Sequence, residues 1–305
     1  MKNNDLQNRI GCWPGGVWKL SAAILVAGAF ALAPLSALAQ KAFPSPGEAA
    51  EAFVDAVARD DGAALRTILG EDWKKFIPVD VDREDTEKFL EAWKRSHRVV
   101  PEGDARAMVE VGTQGWTLPI PIVKVKTGWQ FDTRAAAEEL RTRRIGRNEL
   151  SAMQVVLAYY DAQKDYALVD RNGDGVLEYA QRFASTPGRR DGLFWPNDPA
   201  SPLGPLYGDE TKDGIYHGYR FRILKTQGPA ARGGVRDYVV KGRMTQGFAA
   251  VAWPAKYNDT GVMTFIVSHD GNVYQKNLGS GTDAAARAMT RFNPDRSHRS
   301  VRRKR

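Results

Sequence analysis

The sequence predicts an α+β protein made of two parts that are built differently. Between residues 40 and 145, helix-like segments come first and β-rich segments follow them. Between residues 146 and 292, one long helix precedes a run of alternating strands. Helices and antiparallel strands that are segregated along the chain are typical of α+β proteins. We therefore expect N-terminal helices with a curved antiparallel sheet, and then a long helix packed on an antiparallel β-meander.

The first 39 residues have the pattern of a cleaved signal peptide. A basic start, a weakly polar-to-apolar run and a small-x-small site follow one another: Lys2, Arg9 and Lys19, then Leu20–Ala33, then Ala37-Leu38-Ala39. Pro34 closes the run, which is short for a bilayer span. We expect cleavage before Gln40 and a periplasmic or secreted protein without a transmembrane anchor. A retained membrane anchor is the alternative.

The formal charge of +8 is concentrated at the two ends of the chain. Residues 1–39 carry three basic side chains and one acid, and residues 291–305 carry seven basic side chains and one acid. These segments account for the whole excess, so the predicted folded body is neutral and offers no electrostatic footprint for nucleic acid. Residues 293–305 are predicted to be a basic disordered tail. The single cysteine, Cys12, lies in the predicted signal peptide, which excludes thiol chemistry from the mature chain.

Three helices are predicted after the signal peptide. Ser45 is followed three residues later by Glu48, which is the pattern of a capping box before a helix. The predicted helices are Gly47–Ala58, Ala63–Leu69 and Asp85–His97. In the third, Phe89, Leu90 and Trp93 have helical spacing, and we interpret them as core residues rather than as a ligand site.

Strands are predicted next, with turns at Gly112 and at Thr127-Gly128. They are Ala105–Val111, Trp116–Val125 and Gly128–Phe131. Pro119 and Pro121 predict that the middle strand is an edge or a bulged strand. Thr133 is the predicted cap of a fourth helix, Arg134–Arg144. With helices before its sheet and a strand that starts at Gly128-Trp129, this part resembles the nuclear-transport-factor-like and cystatin-like folds, which implies a curved sheet that wraps a helix.

A long helix, Arg147–Leu168, is predicted to open the second part, after a polar turn at Gly146–Glu149. Its apolar residues recur at helical spacing and predict one buried stripe: Leu150, Met153, Val156, Leu157 and Tyr160. We interpret the adjacent pair Tyr159-Tyr160 as core and boundary packing.

The loop after this helix has the spacing of a calcium-binding loop. Asp170, Asn172 and Asp174 occupy alternate positions before Gly175, which are positions 1, 3, 5 and 6 of such a loop. The remaining ligands would be the backbone carbonyl of Val176, then Glu178 and Gln181. Gln181 stands where a bidentate Glu is expected, which weakens the site. The alternative is ordinary turn chemistry that joins the helix to a strand, Val176–Phe183. Ca²⁺ is the one candidate cofactor.

The segment Ser185–Leu206 contains five prolines and little periodicity. A loop of this length is usually functional or packed down on the fold. Arg189, Arg190, Asp191 and Trp195 form a candidate recognition surface. We also assign to this surface His217, which lies at the start of the following strand. Alternatively, Trp195 serves to pin the loop to the sheet.

From Gly218 onward the chain predicts an antiparallel meander, because Tyr219, Phe221 and Ile223 alternate with arginines. The later strands are Arg236–Val240, Phe248–Trp253, Val262–Val267 and Asn272–Lys276, with a hairpin turn at Asp270-Gly271. One long helix laid on such a sheet resembles the globular part of type IV pilins and pseudopilins. That likeness implies a shape and no function, since the cleaved-pilin signature does not precede the helix.

Several stretches together resemble an uncharacterised bacterial family, domain of unknown function 2950, over about Gly47 to Phe292. They are Ile145–Leu150, Asp170–Phe183, Ser185–Pro196, Tyr216–Leu224 and the run from Asp237 through Gly279. The resemblance implies a secreted or periplasmic protein. It implies no activity and no site residues.

No nucleophile elbow, metal-binding histidine pair or phosphate-binding glycine loop is present in the sequence, so no catalytic residue is assigned. We expect a non-enzymatic binding or scaffold protein of the envelope, whose partner is an envelope protein or polymer. The alternative is a periplasmic hydrolase. Its acid and base would be His217, His97 or His269 together with an acid, for which the candidates are Asp191, Asp237 and Asp270.

Overall fold

The computed structural model describes residues 40–76, 83–171, 173–204 and 214–301. The predicted signal peptide lies outside these residues. Within them, helices and antiparallel sheets are segregated along the chain, which confirms the α+β class. The buried apolar residues form two clusters, one drawn from Phe43 to Ala136 and the other from Ala152 to Phe292.

The first part begins with three helices: α1 (Pro46–Ala58), α2 (Gly62–Leu69) and α3 (Arg83–Arg95). A short 3₁₀ turn, Trp73–Phe76, follows α2. The predicted N-cap is present, because Ser45 Oγ accepts a hydrogen bond from the Glu48 N–H at 3.1 Å. The Glu48 carboxylate accepts from the Ser45 hydroxyl at 3.2 Å, in place of the bond to the Ser45 N–H that completes a capping box.

The first sheet contains β1 (His97–Pro101), β2 (Arg106–Val111), β3 (Trp116–Thr117), β4 (Ile122–Val125) and β5 (Gly128–Phe131). Its order is β1-β2-β4-β5, with β3 also paired to β2, and all pairs are antiparallel. The prediction that α3 reaches His97 is wrong, since that residue starts β1. The predicted strand Trp116–Val125 is divided, because Pro119 and Pro121 cannot donate to a ladder.

The two helices predicted as Arg134–Arg144 and Arg147–Leu168 are one helix, α4 (Thr133–Tyr166), of 34 residues. Its cap is Asp132 rather than Thr133, because the Asp132 side chain accepts from the Ala135 N–H at 2.9 Å. Gly146 lies inside the helix and is exposed, where glycine costs only about 1 kcal/mol relative to alanine. The predicted turn at Gly146–Glu149 is therefore absent.

Polar contacts on both sides secure the middle of α4. Arg143 donates to the carbonyl and hydroxyl oxygens of Thr117 at 2.7 and 2.8 Å. Arg144 forms an ion pair with Asp259. Glu149 accepts from the backbone N–H groups of Val262 and Met263 at 2.9 and 3.0 Å. These bonds explain how the helix continues through a stretch with few apolar residues.

The buried face of α4 differs from the predicted stripe. Leu150 is 58% exposed, and Met153, Leu157 and Tyr160 pack at the edge of the second core. The face that is fully buried runs through Ala152, Val156, Tyr159, Gln163 and Tyr166. Because this face contains a glutamine and two tyrosines, the spacing of apolar residues alone does not predict it.

The second sheet contains β6 (Tyr219–Leu224), β11 (Ala249–Pro254), β12 (Met263–Ser268), β13 (Val273–Asn277) and β14 (Arg299–Val301). Its order is β14-β13-β12-β11-β6, fully antiparallel. Two short ribbons lie between β6 and β11 in the chain: β7 (Thr226–Gln227) with β8 (Arg236–Asp237), and β9 (Val239–Val240) with β10 (Arg243–Met244). The predicted turn at Asp270-Gly271 joins β12 to β13.

Two features of the C-terminal region were not predicted. A short helix, α5 (Thr282–Ala288), is held by Arg222, whose guanidinium donates to the carbonyls of Arg287 and Ala286 at 2.9 and 2.6 Å. The expectation of a disordered tail from residue 293 is wrong for its described portion, because β14 pairs with β13. None of the helices in the described residues is both long and apolar enough to cross a membrane.

Candidate functional site

The loop after α4 is closed by its own aspartates. The Asp170 carboxylate accepts from the backbone N–H groups of Gly173, Asp174 and Gly175, at 2.8, 3.3 and 2.7 Å. Asp174 accepts from the Val176 N–H at 3.0 Å and forms an ion pair with Arg243 at 2.7 Å. These are the bonds of an Asx-type turn.

The other proposed calcium ligands are also engaged or lie elsewhere. Gln181 donates to the Gly242 carbonyl at 2.7 Å and accepts from Lys225 at 3.1 Å, and Glu178 lines a pocket described below. Asn172 is outside the described residues. Within the described part, no three His, Cys, Asp or Glu side chains are grouped so that they could hold a metal ion. Calcium binding stays a prediction, as does the turn interpretation.

Gln163 fixes the segment that follows the loop. Its side chain is completely buried, donates to the Ala180 carbonyl at 2.8 Å and accepts from the Ala180 N–H at 2.8 Å. It also donates to the Tyr159 hydroxyl at 3.1 Å. The prediction of a strand at Val176–Phe183 is wrong, because a side-chain amide satisfies backbone groups that a neighbouring strand would otherwise satisfy.

The Ser185–Leu206 loop is packed down by hydrogen bonds in its first half. The Arg189 N–H donates to the Thr186 carbonyl at 2.9 Å, which closes a turn with Gly188 at φ +77°. Asp191 accepts from the Thr186 N–H and hydroxyl at 2.7 and 2.8 Å. Burial opposes ionisation of Asp191, but the two Thr186 bonds and Arg182 outweigh burial and lower its pKa. Asp191 is therefore ionised, and its hydrogen bonds to Thr186 stabilise this turn.

Trp195 lies under the loop and supports two guanidinium groups. It is 3% exposed, and its indole N–H donates to the Gly192 carbonyl at 2.8 Å. The guanidinium carbons of Arg190 and Arg171 lie 4.6 and 5.1 Å from the centre of its ring. Arg190 is further held by Asp198 at 2.7 Å. Trp195 therefore pins the loop and positions cations at the surface.

These side chains line a pocket of about 670 Å³, which we call the arginine pocket. Five cationic side chains and two carboxylates line it: Arg171, Arg182, Arg189, Arg190 and Lys225, with Glu178 and Asp191. Tyr166 forms part of its wall and donates its hydroxyl to the Arg190 carbonyl at 2.9 Å. Burial, with the nearby carboxylates, raises the pKa of Tyr166 to about 12, so its hydroxyl stays protonated at neutral pH.

Comparison with known protein families identifies the family of this chain. A family model described as "Protein of unknown function (DUF2950)" matches residues 40–301. The chain belongs to the DUF2950 family. No curated protein matches the chain. No solved structure matches it either, so the transport-factor-like, cystatin-like and pilin-like shapes remain predictions.

The histidines of this DUF2950 protein lie outside the arginine pocket. His97 stacks on Trp93 with 3.8 Å between ring centres, and its Nε2 atom is 3.3 Å from Glu51. His217 has φ +46° and contacts the Tyr216 ring, and it forms no ion pair with a described carboxylate. His269 packs between Tyr238 and Phe248.

The structure thus brings together three of the five predicted recognition residues at the surface of one pocket: Arg189, Arg190 and Asp191. Trp195 lies beneath them, and His217 is not part of the lining. Sequence reasoning missed Tyr166, Arg171, Arg182 and Lys225. Arg171 lies within the stretch that has calcium-loop spacing and Arg182 directly follows it, so this pair of cations was the available signal. Lys225 lies too far along the chain to be associated by inspection.

Proposed function

We propose that this protein is a non-enzymatic binding protein of the bacterial envelope, and that the arginine pocket holds an anionic group of its ligand. The observation that carries the proposal is the charge of the pocket, in which five cations face two carboxylates. Asp191 pairs with Arg182 at 3.6 Å, and Asp198, from outside the lining, pairs with Arg190 at 2.7 Å, so three carboxylates stand against five cations. The lining therefore presents an excess of positive charge to a ligand.

Two of the cations are held in place before a ligand arrives. Arg190 is fixed by Trp195 and Asp198, and Arg171 by the rings of Trp195 and Tyr166. Arg189 is exposed, and its guanidinium has no hydrogen bond or ion pair to a described residue. Planar guanidinium groups bind carboxylate and phosphate oxygens in pairs, and fixed ones lose little entropy when they do so.

The lining of the pocket supports binding rather than catalysis. Of its two tyrosines, Tyr166 stays protonated at neutral pH and is hydrogen-bonded to backbone, and Tyr179 packs its ring against Phe248. Neither a histidine nor a serine is among the residues that line it in the described part of the chain. A covalent hydrolase site of the serine–histidine type requires a nucleophile beside a general base. The alternative hydrolase with His217 therefore draws no support from this pocket.

An envelope location is the second component of the proposal. The family match begins at Gln40, the residue that would follow the predicted cleavage site. Osmotic-shock fractionation of a bacterium that expresses the full chain tests it. We expect the protein in the periplasmic or secreted fraction, with Gln40 as its first residue by N-terminal sequencing. Recovery of an uncleaved chain in the cytoplasm would contradict this component.

Ligand binding is tested by titration calorimetry with tripolyphosphate and with citrate, which separate phosphate from carboxylate recognition. We expect at least one of them to bind, with affinity that falls as salt is added. Arg189→Ala and Arg190→Ala should each weaken binding about tenfold, which is typical for a hydrogen bond to a charged group. Arg232→Ala removes an exposed arginine outside the pocket and is the matched control. Equal affinity in all four proteins would refute the assignment of the pocket.

A further inference from the structure

A second cavity, of about 830 Å³, lies in the first part of the chain. Its walls come from α1, α3, the first sheet and α4, and we call it the apolar pocket. The lining includes Phe53, Phe89, Val111, Trp116, Leu118 and Leu140. A volume of this size is within the range of sites that enclose small molecules, roughly 300 to 1,000 Å³.

The floor of the apolar pocket is the hydrophobic core itself. Phe53, Val111 and Leu118 line the pocket and are also buried members of the first core cluster. An apolar ligand in the pocket would therefore contact core side chains directly. Such contact stabilises a complex by about 25 cal/mol for each Å² of apolar surface removed from water.

One wall is an exposed aromatic ring held in a fixed position. Trp116 is 46% exposed, although it lies on the cavity side of the sheet. The centres of its ring and the Phe89 ring lie 6.2 Å apart with the planes at 71°, and the Arg143 guanidinium carbon lies 6.0 Å from its centre. Arg143 in turn is anchored to both oxygens of Thr117. An exposed indole that is fixed in this way is ready to receive an apolar partner.

The charged side chains of the lining favour an apolar ligand that also carries an anionic group. Asp85, Lys88 and Arg95 belong to α3 and line the pocket. Lys88 is paired with Glu84 at 2.8 Å. The guanidinium of Arg95 is exposed and forms no hydrogen bond or ion pair with a described residue. It is therefore available to a ligand.

We propose that the apolar pocket binds a small amphiphile with one carboxylate. The aliphatic or aromatic body lies against Phe53, Phe89 and Trp116, and the carboxylate pairs with Arg95. A pocket of this volume suits a small molecule better than a helix or a second copy of the chain, which would need a longer apolar surface. This site is separate from the arginine pocket and does not depend on the function proposed for it.

The test uses dodecanoate and uncharged dodecanol as probes, each competing with the fluorescent reporter 8-anilinonaphthalene-1-sulfonate on the purified protein. We expect dodecanoate to displace the reporter at lower concentration than dodecanol. Arg95→Ala should weaken dodecanoate about tenfold and leave dodecanol within about twofold, because it removes a charge-assisted bond alone. Trp116→Ala should weaken both probes, because it removes an apolar wall.

One control locates the effect. Lys94→Ala removes the neighbouring exposed cation of α3, which does not line the pocket, and should bind both probes as the unchanged protein does. The proposal is overturned if dodecanoate does not bind, if Lys94→Ala weakens it as much as Arg95→Ala, or if folded Trp116→Ala protein retains full affinity for both probes.

Discussion

The guanidinium carbon of Arg190 lies 4.6 Å above the centre of the buried Trp195 ring, and the same ring supports Arg171. Each such contact contributes about 0.5–1 kcal/mol at a partly exposed site. Trp195→Leu removes both, so we expect about tenfold weaker anion binding. Trp195→Phe keeps a ring face and should lose less. Calorimetry with the bound anion checks this order, and equal losses in the two variants would contradict a role for the ring.

Gln163 holds Ala180 through both of its backbone groups, and its side chain is completely buried. Gln163→Leu leaves a buried N–H and a buried carbonyl without partners, so we expect a loss of about 2–5 kcal/mol in the free energy of unfolding. Urea denaturation measures it. Gln154→Leu, on the exposed face of the same helix, should change stability by less than about 0.5 kcal/mol. Similar losses in the two variants would mean that the Ala180 bonds contribute little.

His269 makes the protein sensitive to mild acid. Burial lowers the pKa of this imidazole below its ordinary value, Arg236 lowers it further, and Asp270 and a backbone bond at Phe248 oppose them only in part. Its Nδ1 atom is buried without a partner in the described structure. The unfolded chain therefore binds a proton more readily, and stability falls as pH drops below about 6.5, the pKa of a free imidazole.

We expect a lower melting temperature at pH 5 than at pH 8, and His269→Gln should reduce the difference. Melting curves of both proteins at the two pH values measure it. The comparison of differences is independent of any loss of stability that the substitution itself causes at pH 8. An unchanged difference in the variant would show that other groups set the acid sensitivity.

Calcium titration separates the two interpretations of the Asp170–Gln181 loop. Asp170 already accepts three backbone bonds and Asp174 is paired with Arg243, so we expect no heat and no rise in melting temperature at about 1 mM Ca²⁺. A rise that Asp174→Ala abolishes would instead establish the calcium site.

Local signals in the sequence predicted most of the first part of the fold. The Ser45 cap and the bounds of Gly128–Phe131 both depend on neighbours in the chain. The continuity of α4 could not be predicted, because its middle is secured by Thr117, Asp259 and Val262, which are distant in sequence. The helix α5 was missed for the same reason, since Arg222 and Trp253 hold it from the second sheet.

The candidate site was predicted in part for a related reason. Arg189, Arg190 and Asp191 are adjacent, so one loop places them together whatever the rest of the fold does. Arg171 joins them only because Trp195 is buried beneath both segments, and Lys225 joins through its bond to Gln181. Contacts of this kind depend on tertiary packing and produce no periodic pattern in the sequence.

The continuous helix α4 also fixes the distance between the two pockets. Leu140 lines the apolar pocket and Tyr166 lines the arginine pocket, and α4 runs unbroken from one to the other. At 1.5 Å per residue this separation is about 39 Å along the axis. A single small molecule cannot reach both sites. When both are occupied, the protein becomes a spacer of fixed length between two different ligands, and a bivalent compound would need a linker of comparable reach to engage it twice.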